Sequence, residues 1–245
     1  MAYNKKQALV ANITALEAAF RVKRENRPPT DTERLQMQQY SGFGGIRAIL
    51  NNVDDLSRWP KSELPLVPAV THLWSVIEQN AESIQQQRQL KESLRNSVLT
   101  AFYTPQEFVN ILGKALYKAL GGVPERMLEP SAGSGRFLHL FDGMPGAEMI
   151  KKTAYEKDLL TGMVLQGIER DTQVSVTGFE NIPVSQQGTY DLVVSNIPFA
   201  DVKVFDPTFH TSKDNNRRAA ANRLHTYFFV KGLDMVKDGG LVAYI

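Results

Sequence analysis

The segment YDLVVSNIPFAD, residues 190–201, holds the residues best suited to chemistry. The apolar run before Asn196 predicts a buried strand. The Asn196 side-chain oxygen can accept a hydrogen bond from an exocyclic amine, and a backbone carbonyl beside it can accept a second. Two such acceptors would aim the nitrogen lone pair at an electrophile, while Pro198 restricts the loop backbone and Phe199 offers a face to a planar base. Taken alone, the tetrapeptide also fits a turn before a helix with a buried Phe199.

A second candidate loop, LEPSAGSGRFL at residues 128–138, joins an apolar strand to a predicted helix. Gly133 and Gly135 would let the backbone approach a ligand closely, and a helix N-terminus would present its amides to that ligand. Glu129 and Pro130 precede them at the carboxyl end of the strand, where open α/β sheets bind ligands. The usual dinucleotide pattern has a third glycine, and Leu138 stands in its place. We expect a cofactor loop rather than a plain strand-to-helix turn.

Acidic residues follow the next two predicted strands. Glu156 lies about twenty residues past the glycines, the separation at which an acidic residue accepts the hydroxyls of a ribose. Asp158 is better suited to capping the helix that follows. Glu180 could reach an adenine amino group and Phe179 could cover the ring, but a solvated carboxylate and a core aromatic fit these two residues equally well.

Strands and helices alternate in the sequence from Val98 onward. This alternation predicts an α/β fold with a Rossmann-like, doubly wound parallel sheet. Residues 1–97 read as a separate, all-helical region with an apolar stripe in residues 8–24. The last predicted strand, GGLVAYI, reaches Ile245, so we expect a sheet truncated after its fifth strand and a chain that is a fragment of a longer protein.

The composition is that of an ordinary globular protein of 245 residues with a formal net charge of +2. This charge does not by itself indicate a nucleic-acid partner. The absence of cysteine excludes disulfides and thiolate metal sites, and the four histidines lack ligand spacing, so no metal site is expected. The first 16 residues have no long apolar core and no cleavage signal, and no run approaches the length needed to span a bilayer, so we expect a soluble, cytoplasmic protein.

The polar segment HTSKDNNRRAAANR, residues 210–223, is expected to be a mobile loop in the unbound protein. Phosphate contacts to a nucleic acid would have to come from its basic residues Lys213, Arg217 and Arg218.

The two candidate loops together resemble the signatures of the Rossmann-like, S-adenosylmethionine-dependent N6-adenine DNA methyltransferases. Those signatures are an acidic–Pro–x–x–Gly–x–Gly loop and an Asn-Pro-Pro-Phe/Tyr loop, and Ile197 stands where the second has its first proline. TAFYTP, residues 100–105, resembles a third signature that precedes the first strand. The order of the three is that of the subgroup with the type I restriction–modification methylation subunits. SNIPFAD, LHTYFF and YSGFGG further resemble the methylase part of large methylase–helicase proteins of bacterial mobile elements.

The resemblance implies an adenine-specific DNA methyltransferase with S-adenosylmethionine as its cofactor. It implies that Asn196 and Pro198 hold the target amine, and that Phe199 stacks on an adenine flipped out of double-stranded DNA. It implies cofactor contacts at the strand ends, in the glycine loop and in the third signature, from Glu129, Pro130, Gly133, Gly135, Glu156, Glu180, Tyr103 and Thr104. The other expected partner is the remaining C-terminal part of a longer chain, or a specificity region.

Two further functions remain compatible with the sequence. Glutamine methyltransferases acting on proteins use a similar Asn-Pro-Pro-Tyr loop. A non-catalytic module with a vestigial cofactor loop would bind DNA or a partner domain instead. The missing strands leave open whether the chain is active by itself, and the N-terminal helices could be a docking surface for the rest of a larger protein.

Overall fold

The structure is a computed structural model that describes residues 4–100 and 103–245. It is an α/β fold with five parallel strands, which confirms the predicted fold class. The helices are α1 (Lys5–Glu25), α2 (Asp31–Gln38), α3 (Val67–Asn80), α4 (Ile84–Thr100), α5 (Gln106–Leu120), α6 (Leu159–Ile168), α7 (Pro207–His210), α8 (Asn215–Ala220) and α9 (Leu224–Met235). The strands are β1 (Arg126–Glu129), β2 (Lys151–Tyr155), β3 (Thr172–Ser175), β4 (Tyr190–Ser195) and β5 (Val236–Tyr244). Within the described ranges, no helix is long and apolar enough to cross a membrane.

The chain divides into two compact units. A helical unit contains Met1–Tyr103 and Asp158–Arg170, and a sheet unit contains Thr104–Lys157 and Asp171–Ile245. The division into domains between residues 97 and 98 stays a prediction, because a compact unit need not be a domain that folds alone.

The helical unit is held together by the apolar faces of α1 to α4 and of α6. Leu16 of α1, Ile77 of α3 and Leu160 of α6 are completely buried in one apolar cluster. Thr30 caps α2: its hydroxyl accepts the Glu33 backbone N–H at 3.2 Å, and the Glu33 carboxylate accepts the Thr30 backbone N–H at 2.9 Å. This reciprocal pair is a capping box, which satisfies amides that the start of a helix leaves unpaired.

The sheet unit has the strand order β3-β2-β1-β4-β5. Strand β1 lies between β2 and β4, so successive strands are added on one side of β1 and then on the other. A reversal of this kind opens a crevice at the carboxyl ends of the two central strands. Leu128 and Val193, which pair in register, are completely buried and fix β1 and β4 in the middle of the sheet. The loops after β1 and β4 therefore meet at the edge where a ligand is expected.

The segment after the glycine loop is not the α-helix that we predicted. Arg136–His139 forms a single 3-10 turn, and irregular turns lead from there to β2. Gly143, Pro145 and Gly146 follow within a few residues. Glycine and proline disfavour a helix interior, so a helix that starts here has no room to propagate beyond its costly first turn.

The polar segment at residues 210–223 contains the short helix α8, so it is not the loop that we predicted, and its mobility stays a prediction. Arg217 donates hydrogen bonds of 2.8 and 2.6 Å to the two carboxylate oxygens of Asp234, and its guanidinium lies 4.2 Å from the centre of the Phe209 ring. The side chains of Arg217 and Asp234 are only 22% and 21% exposed. Arg217 is thus engaged within the protein, which argues against its predicted contact with phosphate.

Candidate functional site

The Asn196 loop follows the carboxyl end of β4 and is held there by hydrogen bonds. The Ser195 hydroxyl donates to the backbone oxygen of Ser131 at 3.1 Å, which ties the end of β4 to the glycine loop. The Ile197 backbone N–H donates to the backbone oxygen of Ile245 at 3.2 Å, and the Ile197 side chain is buried. The apolar side chain of Ile197 therefore anchors the loop in the core between Asn196 and Phe199.

The Asn196 amide is oriented by Thr104. Its Nδ2 donates to the Thr104 hydroxyl at 3.2 Å, and Arg136 in turn donates to the Thr104 backbone oxygen at 2.6 Å. Thr104 is buried and Asn196 is partly buried, so the hydrogen bond between them is partly buried. The Asn196 oxygen Oδ1 makes no hydrogen bond to any described residue. The amide is held by its nitrogen, which leaves its oxygen as an acceptor for a ligand.

The glycine loop adopts a backbone that only glycine readily accepts. Gly133 and Gly135 have φ angles of 55° and 80°, in the left-handed region. The Gly133 backbone N–H donates to the Glu156 carboxylate at 2.6 Å, and the Ala132 N–H donates to the backbone oxygen of Tyr155 at 2.9 Å. These bonds clamp the loop after β1 to the end of β2. They also bring Gly133 and Glu156 together, while the ribose contact of Glu156 stays a prediction.

The strand end that leads into the glycine loop is buried, and so is the Ser134 hydroxyl. Glu129 and Pro130 at the end of β1 are both buried, Glu129 with 1% of its surface exposed. The Ser134 hydroxyl is buried and has no hydrogen-bond partner among the described residues. Buried polar groups are nearly always paired in folded proteins. A polar atom of a ligand seated on the loop would supply the partner that Ser134 lacks.

Phe199 points outward rather than into the core. Its side chain is 69% exposed, and one face stacks on His225 with a centroid separation of 5.7 Å and an interplanar angle of 25°. Pro198 beside it is partly buried. The interpretation of this segment as a turn with a buried Phe199 is therefore wrong. An exposed, oriented aromatic ring can stack on a planar group.

Glu180, the acidic residue after β3, does not lie directly at the end of that strand. Strand β3 ends at Ser175, and Glu180 sits in a 3-10 turn where its carboxylate accepts a hydrogen bond of 2.8 Å from Lys157. Phe179 is buried and packs against Phe228 at a centroid separation of 5.2 Å. Of the two alternatives for Phe179, the structure supports the core aromatic. The adenine contact of Glu180 stays a prediction.

The third signature is described only in part, because Ala101 and Phe102 lie outside the described residues. Tyr103 is partly buried and ends the first segment of the helical unit. Its predicted contact with the cofactor stays a prediction. The Asp158 carboxylate accepts the Thr161 backbone N–H at 2.8 Å, which confirms Asp158 as the cap of α6.

Sequence reasoning missed three residues that shape the site. Arg136 holds Thr104, Ser195 ties β4 to the glycine loop, and His225 stacks on Phe199. For Arg136 and Ser195 the only signal is their position beside a candidate motif. His225 lies in LHTYFF, which carries part of the family resemblance, but nothing in that segment alone indicates its ring contact.

No family model matches the chain, and neither does any curated protein. Solved structures similar to it include a protein from Listeria monocytogenes assigned to the class I S-adenosylmethionine-dependent methyltransferases, with 12% identity, a TM-score of 0.48, and coverage of 98% of this chain and 73% of that one. A type I restriction–modification methyltransferase subunit from Streptococcus thermophilus has 15% identity, a TM-score of 0.48, and coverage of 95% and 55%. A modification subunit from Vibrio vulnificus, assigned to a type I restriction enzyme, has 15% identity, a TM-score of 0.45, and coverage of 73% and 42%.

The chain thus spans about half the length of the two restriction-enzyme subunits. At these identities the likeness concerns the fold.

Proposed function

We propose that this chain is a DNA adenine N6-methyltransferase domain that uses S-adenosylmethionine, within a larger restriction–modification or mobile-element protein. The observation that carries the proposal is the orientation of the Asn196 amide by Thr104, at the sheet edge that also carries the glycine loop and Glu156. A directed acceptor beside a nucleotide-type loop is what transfer to an exocyclic amine requires.

The residues on the β1 side fit the cofactor. S-adenosylmethionine supplies, when bound, an electrophilic methyl group on a positively charged sulfur. Gly133 and Gly135 would lie under it, because the lack of side chains permits a close approach of the backbone. A carboxylate offers about four acceptor sites, so the bond from Gly133 does not exhaust Glu156, which would accept the ribose hydroxyls. Ser134 would gain the partner that its buried hydroxyl lacks.

The residues on the β4 side fit an adenine amine. Asn196 Oδ1 would accept one N–H of the amine and a neighbouring backbone carbonyl the other, which holds the nitrogen and aims its lone pair at the methyl group. Holding two reacting atoms in line is worth a large part of a reaction barrier. Pro198 limits the conformations of the loop that carries these acceptors.

The exposed ring of Phe199 favours a nucleic-acid base as the target group. Taking a base out of a duplex costs a few kcal/mol, and stacking on an aromatic side chain is worth about 1–3 kcal/mol. A stack on Phe199 could therefore offset much of that cost. A side-chain amide of a protein substrate presents a smaller planar surface and would gain less from the same ring.

Two measurements test the proposal. Calorimetric titration with S-adenosylmethionine and with S-adenosylhomocysteine should show saturable one-site binding. Methyl-labelled S-adenosylmethionine, incubated with DNA from a host that lacks adenine methylation and separately with a protein extract, should label the DNA.

Each other outcome points to a different function. Label in protein alone would replace the proposal with a protein glutamine methyltransferase. Absence of cofactor binding together with absence of label would leave a non-catalytic module.

A further inference from the structure

Phe199 is held by the start of α9, although its side chain is largely exposed. One ring face lies against His225, and the Leu224 backbone N–H donates to the backbone oxygen of Ala200 at 3.1 Å. Arg223 and Asp201 add an exposed ion pair of 3.4 Å, which contributes little by itself. These contacts hold His225 and the residues that follow Phe199 in place. The face of the Phe199 ring that does not contact His225 remains open to solvent.

His225 is an unusual choice for a residue that only packs. Its Nδ1 is buried and makes no hydrogen bond to any described residue. A buried, unpaired ring nitrogen is unfavourable for stability, and an apolar ring would avoid that cost. Departures of this kind from the stability optimum are concentrated at functional sites. The contact that remains to be explained is the stack with Phe199.

We propose that His225 is a positioning residue that presents the open face of Phe199 to the target base. This role rests on the proposed function. An exposed phenylalanine without support would sample several rotamers, and ordering it on binding would cost affinity. Stacking on His225 orders the ring in advance, so the base meets a surface that is already in place.

A second pair of the same kind provides a matched control. Phe205 is 75% exposed and packs against His210 with a centroid separation of 5.0 Å and an interplanar angle of 32°. Phe205 lies six residues after Phe199 in the connection between β4 and α7, and His210 lies in α7. No hydrogen bond or ring contact among the described residues joins either of them to Asn196, to Phe199 or to the glycine loop. Loss of this pair removes the same type of ring contact from the surface without touching the site.

The test is steady-state methylation of unmethylated genomic DNA by the wild-type protein and by the variants His225→Ala, His225→Gln, His225→Phe and His210→Ala. We expect His225→Ala and His225→Gln to raise KM for DNA roughly two- to tenfold, the range of an aromatic stack, with kcat unchanged. His225→Phe should restore the wild-type KM, and His210→Ala should match the wild type. Thermal unfolding of each variant checks that it folds, and if His225→Ala does not, the comparison of His225→Gln with His225→Phe decides.

Three results would overturn this role for an active wild type: an unchanged KM in His225→Gln, a His225→Phe variant as impaired as His225→Gln, or equal impairment in His210→Ala. In each of these the proposed function would stand. A wild-type protein that binds the cofactor but methylates no DNA would overturn the proposed function and this role with it.

Discussion

The glycine loop and the Asn196 loop reach the same edge of the sheet but are stabilised in different ways. The glycine loop is partly buried and is closed by main-chain bonds and by the Glu156 carboxylate. The Asn196 loop is held by main-chain bonds at Ile197 and Ala200 and by side-chain contacts to Thr104 and His225, and its aromatic ring faces solvent. A loop whose backbone is bonded to a neighbouring strand end suits the binding of a small ligand. A loop with an exposed aromatic ring suits the binding of a large partner.

This difference separates the measurable effects of substitutions. Changes beside the glycine loop should appear in cofactor affinity, because that loop forms one wall of the proposed cofactor site. Changes in the Asn196 loop should appear in turnover or in the KM for DNA, with cofactor affinity preserved. The following predictions test this separation and the packing that supports the Asn196 loop, from the largest expected effect to the smallest.

Asn196→Ala should reduce methylation by about 10²–10³-fold or more, the usual loss for a group that acts on the reacting atoms. The dissociation constant for S-adenosylmethionine should stay within about twofold of the wild type, because Asn196 makes no contact with the glycine loop in the proposed scheme. Single-turnover transfer and calorimetry measure the two quantities. Asn222→Ala, an exposed asparagine before α9, is the matched control. A normal rate in Asn196→Ala would refute the catalytic assignment.

Asp206→Ala should destabilise the sheet unit by about 3–5 kcal/mol, because it strands a buried charge. Asp206 accepts hydrogen bonds of 2.6 Å from Lys231 and 2.7 Å from Tyr227, and both charged side chains are almost completely buried. This cluster secures the chain that follows the Asn196 loop. Urea unfolding measures the effect, with Asp201→Ala as an exposed control. A loss below about 1 kcal/mol would show that the ion pair is not an anchor.

The same cluster should make stability depend on pH in the acid range. Burial alone would raise the pKa of Asp206, but hydrogen bonds from Lys231, Thr208 and Tyr227 outweigh it and lower the pKa to about 2. The folded pKa is below the unfolded value, so the stabilisation is complete above about pH 5 and is lost as the pH falls through about 2, with a total of about 2 kcal/mol.

Unfolding free energies measured between pH 5 and pH 2 test this linkage. Asp206→Asn removes the titrating group, so the variant should lose this part of the pH dependence. An identical pH profile in the wild type and in Asp206→Asn would contradict the assignment.

Glu156→Ala should weaken S-adenosylmethionine binding roughly ten- to hundredfold, the usual value of hydrogen bonds to a charged group. The substitution also removes the acceptor of the Gly133 amide, so the loop loses its clamp to β2. Calorimetry with S-adenosylhomocysteine gives the same comparison without turnover. Glu148→Ala, an exposed acid in the same unit, should bind as the wild type does. Unchanged affinity in Glu156→Ala would place the ribose elsewhere.

Thr104→Val should lower kcat roughly two- to tenfold, the value of one hydrogen bond, and leave the KM for DNA unchanged. The valine methyl cannot accept from the Asn196 amide, so the amide would lose its fixed orientation. Thr104→Ser keeps the hydroxyl and should keep kcat. A Thr104→Val variant that turns over at the wild-type rate would show that Asn196 is oriented by other means.

Much of the candidate site follows from the sequence because strand ends are easy to recognise. Short apolar segments place β1 and β4, and the alternation of strands and helices places β2. Polar or glycine residues that follow the strands of a parallel sheet share one edge. The approach of Glu156 to Gly133 needs no more than that. Asn196 and Phe199 follow β4 by the same reasoning.

The features that sequence patterns did not predict depend on partners far away in the chain. Lys157 donates a hydrogen bond to Glu180, and Arg217 donates to Asp234. The polar sequence around Arg217 had suggested that its side chain would be solvated. The ring of His225 meets Phe199 across 26 positions, a separation at which no periodicity operates. Local propensity cannot report contacts of this kind, because tertiary packing decides them.

Identification of the methylated nucleoside tests the central claim most directly. DNA from a host that lacks adenine methylation is incubated with the wild-type protein and S-adenosylmethionine, digested to nucleosides and analysed by mass spectrometry, with Asn196→Ala in parallel. We predict N6-methyldeoxyadenosine in the wild-type reaction and at least about a hundredfold less of it in the Asn196→Ala reaction. A methylated cytosine product, or N6-methyldeoxyadenosine at equal levels in both reactions, would contradict the account.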